Sequence, residues 1–188
     1  MTQSSYGRSR TLPFVSCIIA GLVGCAPAEA PAPTPEPTPA VISVAVSTEL
    51  DAAPADVWKV VGDFGGLDKF LAIVESVDVE GEGVGAVRTL HLPEGATVTE
   101  TLAAWDGEAM SYSYSIDESP LPIEGYAATV TVSALEDGST RFAWSSEFKA
   151  KGAPDADARK SVTDFYEMGL AGLKEQFPDK GSEEEAGE

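Results

Sequence analysis

Two ionisable residues in this chain stand on otherwise apolar strand faces, and they are the first candidates for chemistry. In the stretch Ala86 to Leu92, alternation places Ala86, Arg88, Leu90 and Leu92 on one side. In Val98 to Ala104 it groups Val98, Glu100, Leu102 and Ala104 in the same way. Tyr112, Tyr114 and Ile116 follow on the next strand, then Tyr126, Ala128, Val130 and Val132. The inner surface so assembled is apolar, with phenols, one arginine and one glutamate. A lone charge moved from water into such a surface costs several kcal/mol even after relaxation, so Arg88 and Glu100 must find each other or a ligand. Either they form a buried ion pair between neighbouring strands, or, with Tyr112, Tyr114 and Tyr126, they are the few oriented polar groups of a greasy pocket. A ligand that joins the pair satisfies both readings.

The same bookkeeping removes other chemistries. His91 has the opposite parity to Arg88, beside Val87 and Thr89, and reads as an outward strand residue. With no inward histidine and no Gly-x-Ser-x-Gly, nothing activates a hydroxyl. Gly81, Gly83 and Gly85 lie between two strands and lead into no helix, so they do not make a dinucleotide loop. Cys17 and Cys25 both precede the folded part, which is left with a single histidine and no thiol; neither a disulfide nor a zinc site of the usual ligands is expected, and no cofactor is implied.

The elements that must position these residues are legible from periodicity. Ile42, Val44, Val46, Thr48 and Leu50 alternate with polar or small residues as a half-buried strand does. Pro54 to Phe64 changes to helical spacing through Val57, Trp58, Val61 and Phe64, Gly65-Gly66 breaks it, and residues 67–72 make a second short helix. From residue 74 onward six stretches of period two are separated by turn-rich pieces, which predicts a sequential antiparallel sheet. Residues 155–177 then place Ala158, Val162, Phe165 with Tyr166, Gly169, Leu173 and Phe177 on one face of a helix of about six turns. Gly169 and Gly172 each cost about 1 kcal/mol against alanine inside a helix. Either the backbone comes close to a sheet there, or room is left for a guest. Trp58, Phe142 and Trp144 read as core. The fold class is α+β: a seven-stranded curved antiparallel sheet wrapped on the long C-terminal helix, with two short helices after the first strand.

This order resembles the helix-grip fold of the START-like superfamily, also called SRPBCC, and most closely its polyketide cyclase/dehydrase-like bacterial members. The resemblance rests on Pro54, Val57-Trp58, Asp63-Phe64-Gly65-Gly66-Leu67, Gly83-Val84-Gly85-Ala86-Val87-Arg88, Thr99-Glu100, Tyr112 to Ile116, Tyr126 and the final helix, over nearly all of 41–177. Relatives often carry Trp-His-Pro after the Gly-Gly-Leu; here Lys69-Phe70-Leu71-Ala72 stands instead, so no role of such a histidine carries over. Pro93-Glu94-Gly95 resembles in position the gate loop of the plant hormone receptors of this superfamily, and as a turn signal it is equally a plain hairpin. The resemblance implies a ligand site between sheet and helix, with Arg88, Leu90, Glu100, Leu102, Tyr112, Tyr114, Tyr126, Phe165 and Gly169 around it.

The ends of the chain read differently. Arg8 and Arg10 precede the apolar run Thr11 to Val23, too short to span a bilayer but suited to a signal-peptide core. It ends in Leu22-Val23-Gly24-Cys25, which resembles the lipobox of bacterial lipoproteins; by that resemblance Cys25 becomes the first mature residue and carries acyl chains, and Ala26 after it directs sorting towards the outer membrane, facing the periplasm. The other reading is an ordinary secretory signal. Residues 26–40 hold six prolines in fifteen positions and form a stiff spacer reaching at most roughly 45 Å. The organisation is thus a signal peptide (1–24), a lipidated cysteine with its linker (25–40), the domain (41–177) and an acidic, disordered tail (178–188). A formal net charge of −19 repels nucleic acid and anionic lipid head groups alike.

Three functions are consistent with this reading. The first is a membrane-anchored module, held at the bilayer through Cys25, that binds an apolar small molecule or lipid between sheet and helix. The second, named by the resemblance, is a cyclase/dehydratase with Glu100 as general acid/base and Arg88 or a tyrosine polarising a carbonyl. The third is a periplasmic accessory protein whose acidic surface docks a protein partner.

Overall fold

A computed structural model of the protein describes residues 40–178. Cys25, the leader, the spacer up to Pro39 and the tail beyond Pro178 lie outside the described residues. Strand β1 (Ile42–Leu50) is followed by helix α1 (Pro54–Val61), then by strands β2 (Ser76–Glu80), β3 (Val87–His91), β4 (Thr97–Asp106), β5 (Ser111–Glu118), β6 (Ile123–Ala134) and β7 (Thr140–Ala150), and finally by helix α2 (Asp155–Gln176). The seven strands form one antiparallel sheet in the order β1-β7-β6-β5-β4-β3-β2. Strands β2 to β7 therefore lie in chain order, as short turns dictate. β1 departs from that order: the segment 51–75 carries the chain from one edge of the sheet to the other, and β1 pairs with β7 from Ile42 opposite Phe148 to Leu50 opposite Thr140.

The two short helices expected after β1 become one helix and one 3-10 turn. The amide of Gly62 closes α1 on the carbonyl of Trp58, at Val61 rather than Phe64. Asp63 then organises a turn, accepting from the amide of Gly65 (3.0 Å) and from Lys69 Nζ (2.6 Å), and residues Leu67–Lys69 make a single 3-10 turn. The result is to swing the ring of Phe64 inward, where it is 9% exposed.

The core lies on the concave face of the sheet. β1 and β7 carry α2, and β6 and β7 carry α1. Ring contacts run across the face in a row: Trp58 to Tyr112 at 6.2 Å, Tyr112 to Tyr114 at 5.9 Å, Tyr114 to Tyr126 at 6.1 Å and Tyr126 to Phe148 at 5.9 Å. Each such pair adds about 0.5–1.5 kcal/mol beyond its buried area. Trp144 stacks on Tyr166 of α2 at 4.2 Å and fixes the helix to the sheet.

The two helix glycines follow from close approach. A Cβ on Gly169 would sit 3.0 Å from the indole of Trp144, and one on Gly172 would sit 1.8 Å from the carbonyl oxygen of Phe70. The protein itself takes the space at both positions. Ordinarily Gly→Ala inside a helix stabilises by about 1 kcal/mol. Gly172→Ala is instead expected to lower stability by roughly 1–3 kcal/mol through overpacking against Phe70, read as a lower urea midpoint; a raised midpoint would contradict this account.

Candidate functional site

Strand register brings Arg88 and Glu100 face to face. Arg88 of β3 is directly opposite Glu100 of β4, and both are buried, at 0% and 3% side-chain exposure. Arg88 Nε donates to Glu100 Oε2. Nη1 donates to the carbonyl of Phe64 at 2.8 Å, which is the reason the Asp63 turn matters to the site. The guanidinium lies 4.3 Å from the centre of the Phe64 ring and 4.9 Å from that of Tyr114, so two π-faces sandwich the charge. Nη2 makes no hydrogen bond of standard geometry among the described residues. The Tyr112 phenol is close enough to feel its charge.

Electrostatics in this pair is a contest between burial and proximity. Burial opposes the arginine charge, but Glu100 together with Tyr112 and Tyr114 more than compensates and raises the guanidinium's pKa. Burial pushes the Glu100 carboxyl above its ordinary value, and the Arg88 charge pulls it back in part. Burial also raises the tyrosines: Tyr126 to about 12, Tyr114 well above its ordinary value, and Tyr166 likewise. The phenols thus keep their protons at neutral pH and both donate and accept hydrogen bonds.

Beside the pair is a cavity of about 170 Å³. α2 lies towards the β1 and β7 side, and the space is left between its middle turns and the β3 to β5 side of the sheet. Glu100, Tyr114 and Tyr126 wall it from the sheet, and Val162, Phe165 and Tyr166 from the helix. Val98 and Ile116 add apolar wall, while Ile73 and Leu121 come from loops. Ser161, Asp164 and Met168 also line it from α2, with Asp164 ion-paired to Lys160 at 2.6 Å. Polar groups around it are mutually engaged: Tyr126 and Tyr166 share a hydrogen bond between hydroxyls, and Trp144 Nε1 donates to the Tyr114 hydroxyl at 3.0 Å.

Of the residues expected around a ligand, Glu100, Tyr114, Tyr126 and Phe165 line this cavity. Arg88, Leu90, Leu102, Tyr112 and Gly169 do not. Arg88 acts through Glu100, Leu90 and Leu102 are buried in the sheet's inner face, Tyr112 packs against Trp58 and Phe64, and Gly169 is covered by Trp144. Ala104, assigned to the inner face by alternation, is exposed, because the register slips between Leu102 and Ala104. Trp105 takes the inward parity, opposite Tyr112, and donates from Nε1 to the Gly62 carbonyl at 3.2 Å. Tyr166 shared the predicted helix stripe; Ile73 and Leu121, on loops, carried no periodic signal. His91 sits on the outer side with Asp78 at 2.9 Å. Pro93–Gly95 is a 3-10 turn with Glu94 in the left-handed region (φ 62), next to the cavity residue Leu92. Among the described residues no three His, Cys, Asp or Glu side chains converge as metal ligands.

This geometry makes the cost of separating the pair measurable. Arg88→Met alone leaves the Glu100 carboxylate buried without its partner and is expected to lower stability by about 3–5 kcal/mol. The double change Arg88→Met with Glu100→Leu is expected to restore most of it, read by chemical denaturation. A double variant no more stable than the single one would show that the charges are not the cause.

Comparison with known proteins agrees with this architecture. No curated protein matches the chain. The solved structure of an uncharacterized protein from Bacillus thuringiensis is 29% identical and superposes with a TM-score of 0.69, covering 73% of this chain and 100% of that one. The protein XoxI from Bacillus cereus is also 29% identical, with a TM-score of 0.68 over 73% of this chain and 96% of that one. A protein from Nitrosospira multiformis, at 24% identity, shares the fold with a TM-score of 0.65 over 75% and 99%. A family model matches residues 41–178, and on that match the chain belongs to the family described as polyketide cyclase/dehydrase and lipid transport.

Proposed function

We propose that this protein binds a small apolar molecule in the cavity between α2 and the β3 to β5 side of the sheet, and does so tethered to a membrane through lipid on Cys25. One observation carries the binding reading: a cavity of about 170 Å³ whose wall surface is nearly all apolar, with Glu100, three phenols, Ser161 and Asp164 as the polar groups around it. Sites of that composition suit recognition, since apolar walls supply affinity and sparse polar groups supply orientation. The family description, which names both polyketide chemistry and lipid transport, points to hydrophobic ligands.

The cyclase/dehydratase reading is the alternative. The phenols hold their protons, and Glu100, its carboxyl pushed up by burial and tied to Arg88 through one oxygen, is the group that would act as general acid/base. The anchor rests on Leu22-Val23-Gly24-Cys25 and the proline-rich spacer, and the sorting to the outer membrane, facing the periplasm, rests on Ala26. Among the described residues no helix is long and apolar enough to cross a membrane. More than one acyl chain on Cys25 is needed for a stable hold.

Two measurements check these readings separately. Native mass spectrometry of the gently extracted full chain is expected to show a retained apolar mass that Ile116→Phe, which fills the cavity, removes; equal retention in both would place the ligand elsewhere. Cys25→Ser is expected to abolish incorporation of an alkyne-tagged fatty acid and release the protein from the membrane fraction. Unchanged labelling would remove the anchor.

A further inference from the structure

The Arg88 pair leaves one acceptor unspent. Glu100 gives Oε2 to Arg88 Nε, and Oε1 has no hydrogen-bond partner among the described residues although the side chain is 3% exposed. The same residue lines the cavity. Its polar neighbours on that wall are already satisfied: Tyr126 with Tyr166, and Tyr114 as acceptor from Trp144. Oε1 is not among the fully buried side-chain atoms without a partner, so it opens on the cavity it helps to line, where it can accept from a donor that fills the space.

Charge restricts what that donor can be. An anion would meet Glu100 itself and, beyond it, Asp117, which lies near enough to raise the Glu100 pKa. Asp117, Glu118 and Glu124 also line a polar depression that shares Ile116 and Tyr126 with the cavity, where Lys151 is the cation among the lining residues. A cation would be stripped of water beside an ion pair that is already neutral, with no second buried carboxylate to balance it. Size restricts it further, because a dry cavity of about 150 Å³ accommodates one benzene ring, and the volume here is about 170 Å³.

We propose that the cavity selects a neutral, hydroxyl-bearing molecule of about one ring, its hydroxyl donating to Oε1 of Glu100 while Arg88 holds Oε2 from behind. This rests on the binding reading above and specifies its ligand class. Arg88 is in this account a positioning residue: it fixes the carboxylate rotamer, its charge favours the ionised form against the effect of burial, and it never touches the ligand.

The test is a titration of the full chain at neutral pH with three probes of one shape: 4-ethylphenol, ethylbenzene and 4-ethylbenzoate. The expected order is 4-ethylphenol tighter than ethylbenzene by about ten-fold or more, the increment of a hydrogen bond to a charged acceptor, with 4-ethylbenzoate not bound. In the Arg88→Met, Glu100→Leu double variant the phenol and the hydrocarbon are expected to bind alike, and Ile116→Phe is expected to exclude both. If ethylbenzene binds as well as 4-ethylphenol to the parent, or the benzoate binds best, the Glu100 acceptor is wrong while the cavity reading stands. If no probe binds, both fail. The parent comparison decides the matter even where a variant does not fold.

Discussion

The structure depends on hiding one guanidinium in the middle of an apolar sheet. Removing Arg88 and Glu100 from water carries a penalty that mutual attraction offsets only with good geometry and further hydrogen bonds. The fold supplies both. Antiparallel register puts the two residues opposite each other, the turn after α1 brings the Phe64 carbonyl to Nη1, and the Phe64 and Tyr114 rings close over the charge. Much of the segment between β1 and β2 can be understood as the mounting for that one carbonyl.

Fixing the pair also fixes where the interior is solid and where it is hollow. Towards β7, the glycines of α2 let the helix descend onto Trp144 and onto the backbone at Phe70, and packing there is continuous. Towards β4 and β5 α2 has no such seat, and the cavity lies between them. The cavity is the difference between a helix seated on one half of a curved sheet and the half it does not reach.

How much of this was legible in the sequence varies with the kind of signal. Strand parity placed Arg88 and Glu100 on a shared inner face and put His91 outside, because period two is a geometric identity of extended chain; that the two stand opposite each other is a matter of register. The same rule misassigned Ala104, since one extra residue at Ala103 inverts parity and leaves no mark in composition. Helical spacing extended α1 to Phe64, whereas the helix closes at Gly62 and the Asp63 carboxylate, accepting from the Gly65 amide, turns the chain so that Phe64 has a different use. The glycines of α2 signalled close approach to a sheet, which holds for Gly169 against Trp144 of β7; Gly172 instead meets the backbone of Phe70, which lies in no strand and far away in the chain. Strand alternation and the helix stripe held nine of the fourteen wall residues; Ser161, Asp164 and Met168 flank the stripe, and Ile73 and Leu121 reach the wall from loops, where their roles depend on tertiary closure alone.

The stacking of Trp144 on Tyr166 has an optical consequence. Its indole donates to the Tyr114 hydroxyl and lies face to face with Tyr166, and both tyrosines are cavity walls. Trp58 and Trp105 form a separate pair 5.9 Å apart, and neither lines the cavity. Among the described residues the chromophores are thus divided into one coupled to the cavity through its walls and two that are not. Occupancy of the cavity should therefore modulate the emission of Trp144 against a steady background from the other two, so that the protein carries an internal spectroscopic gauge of its own filling.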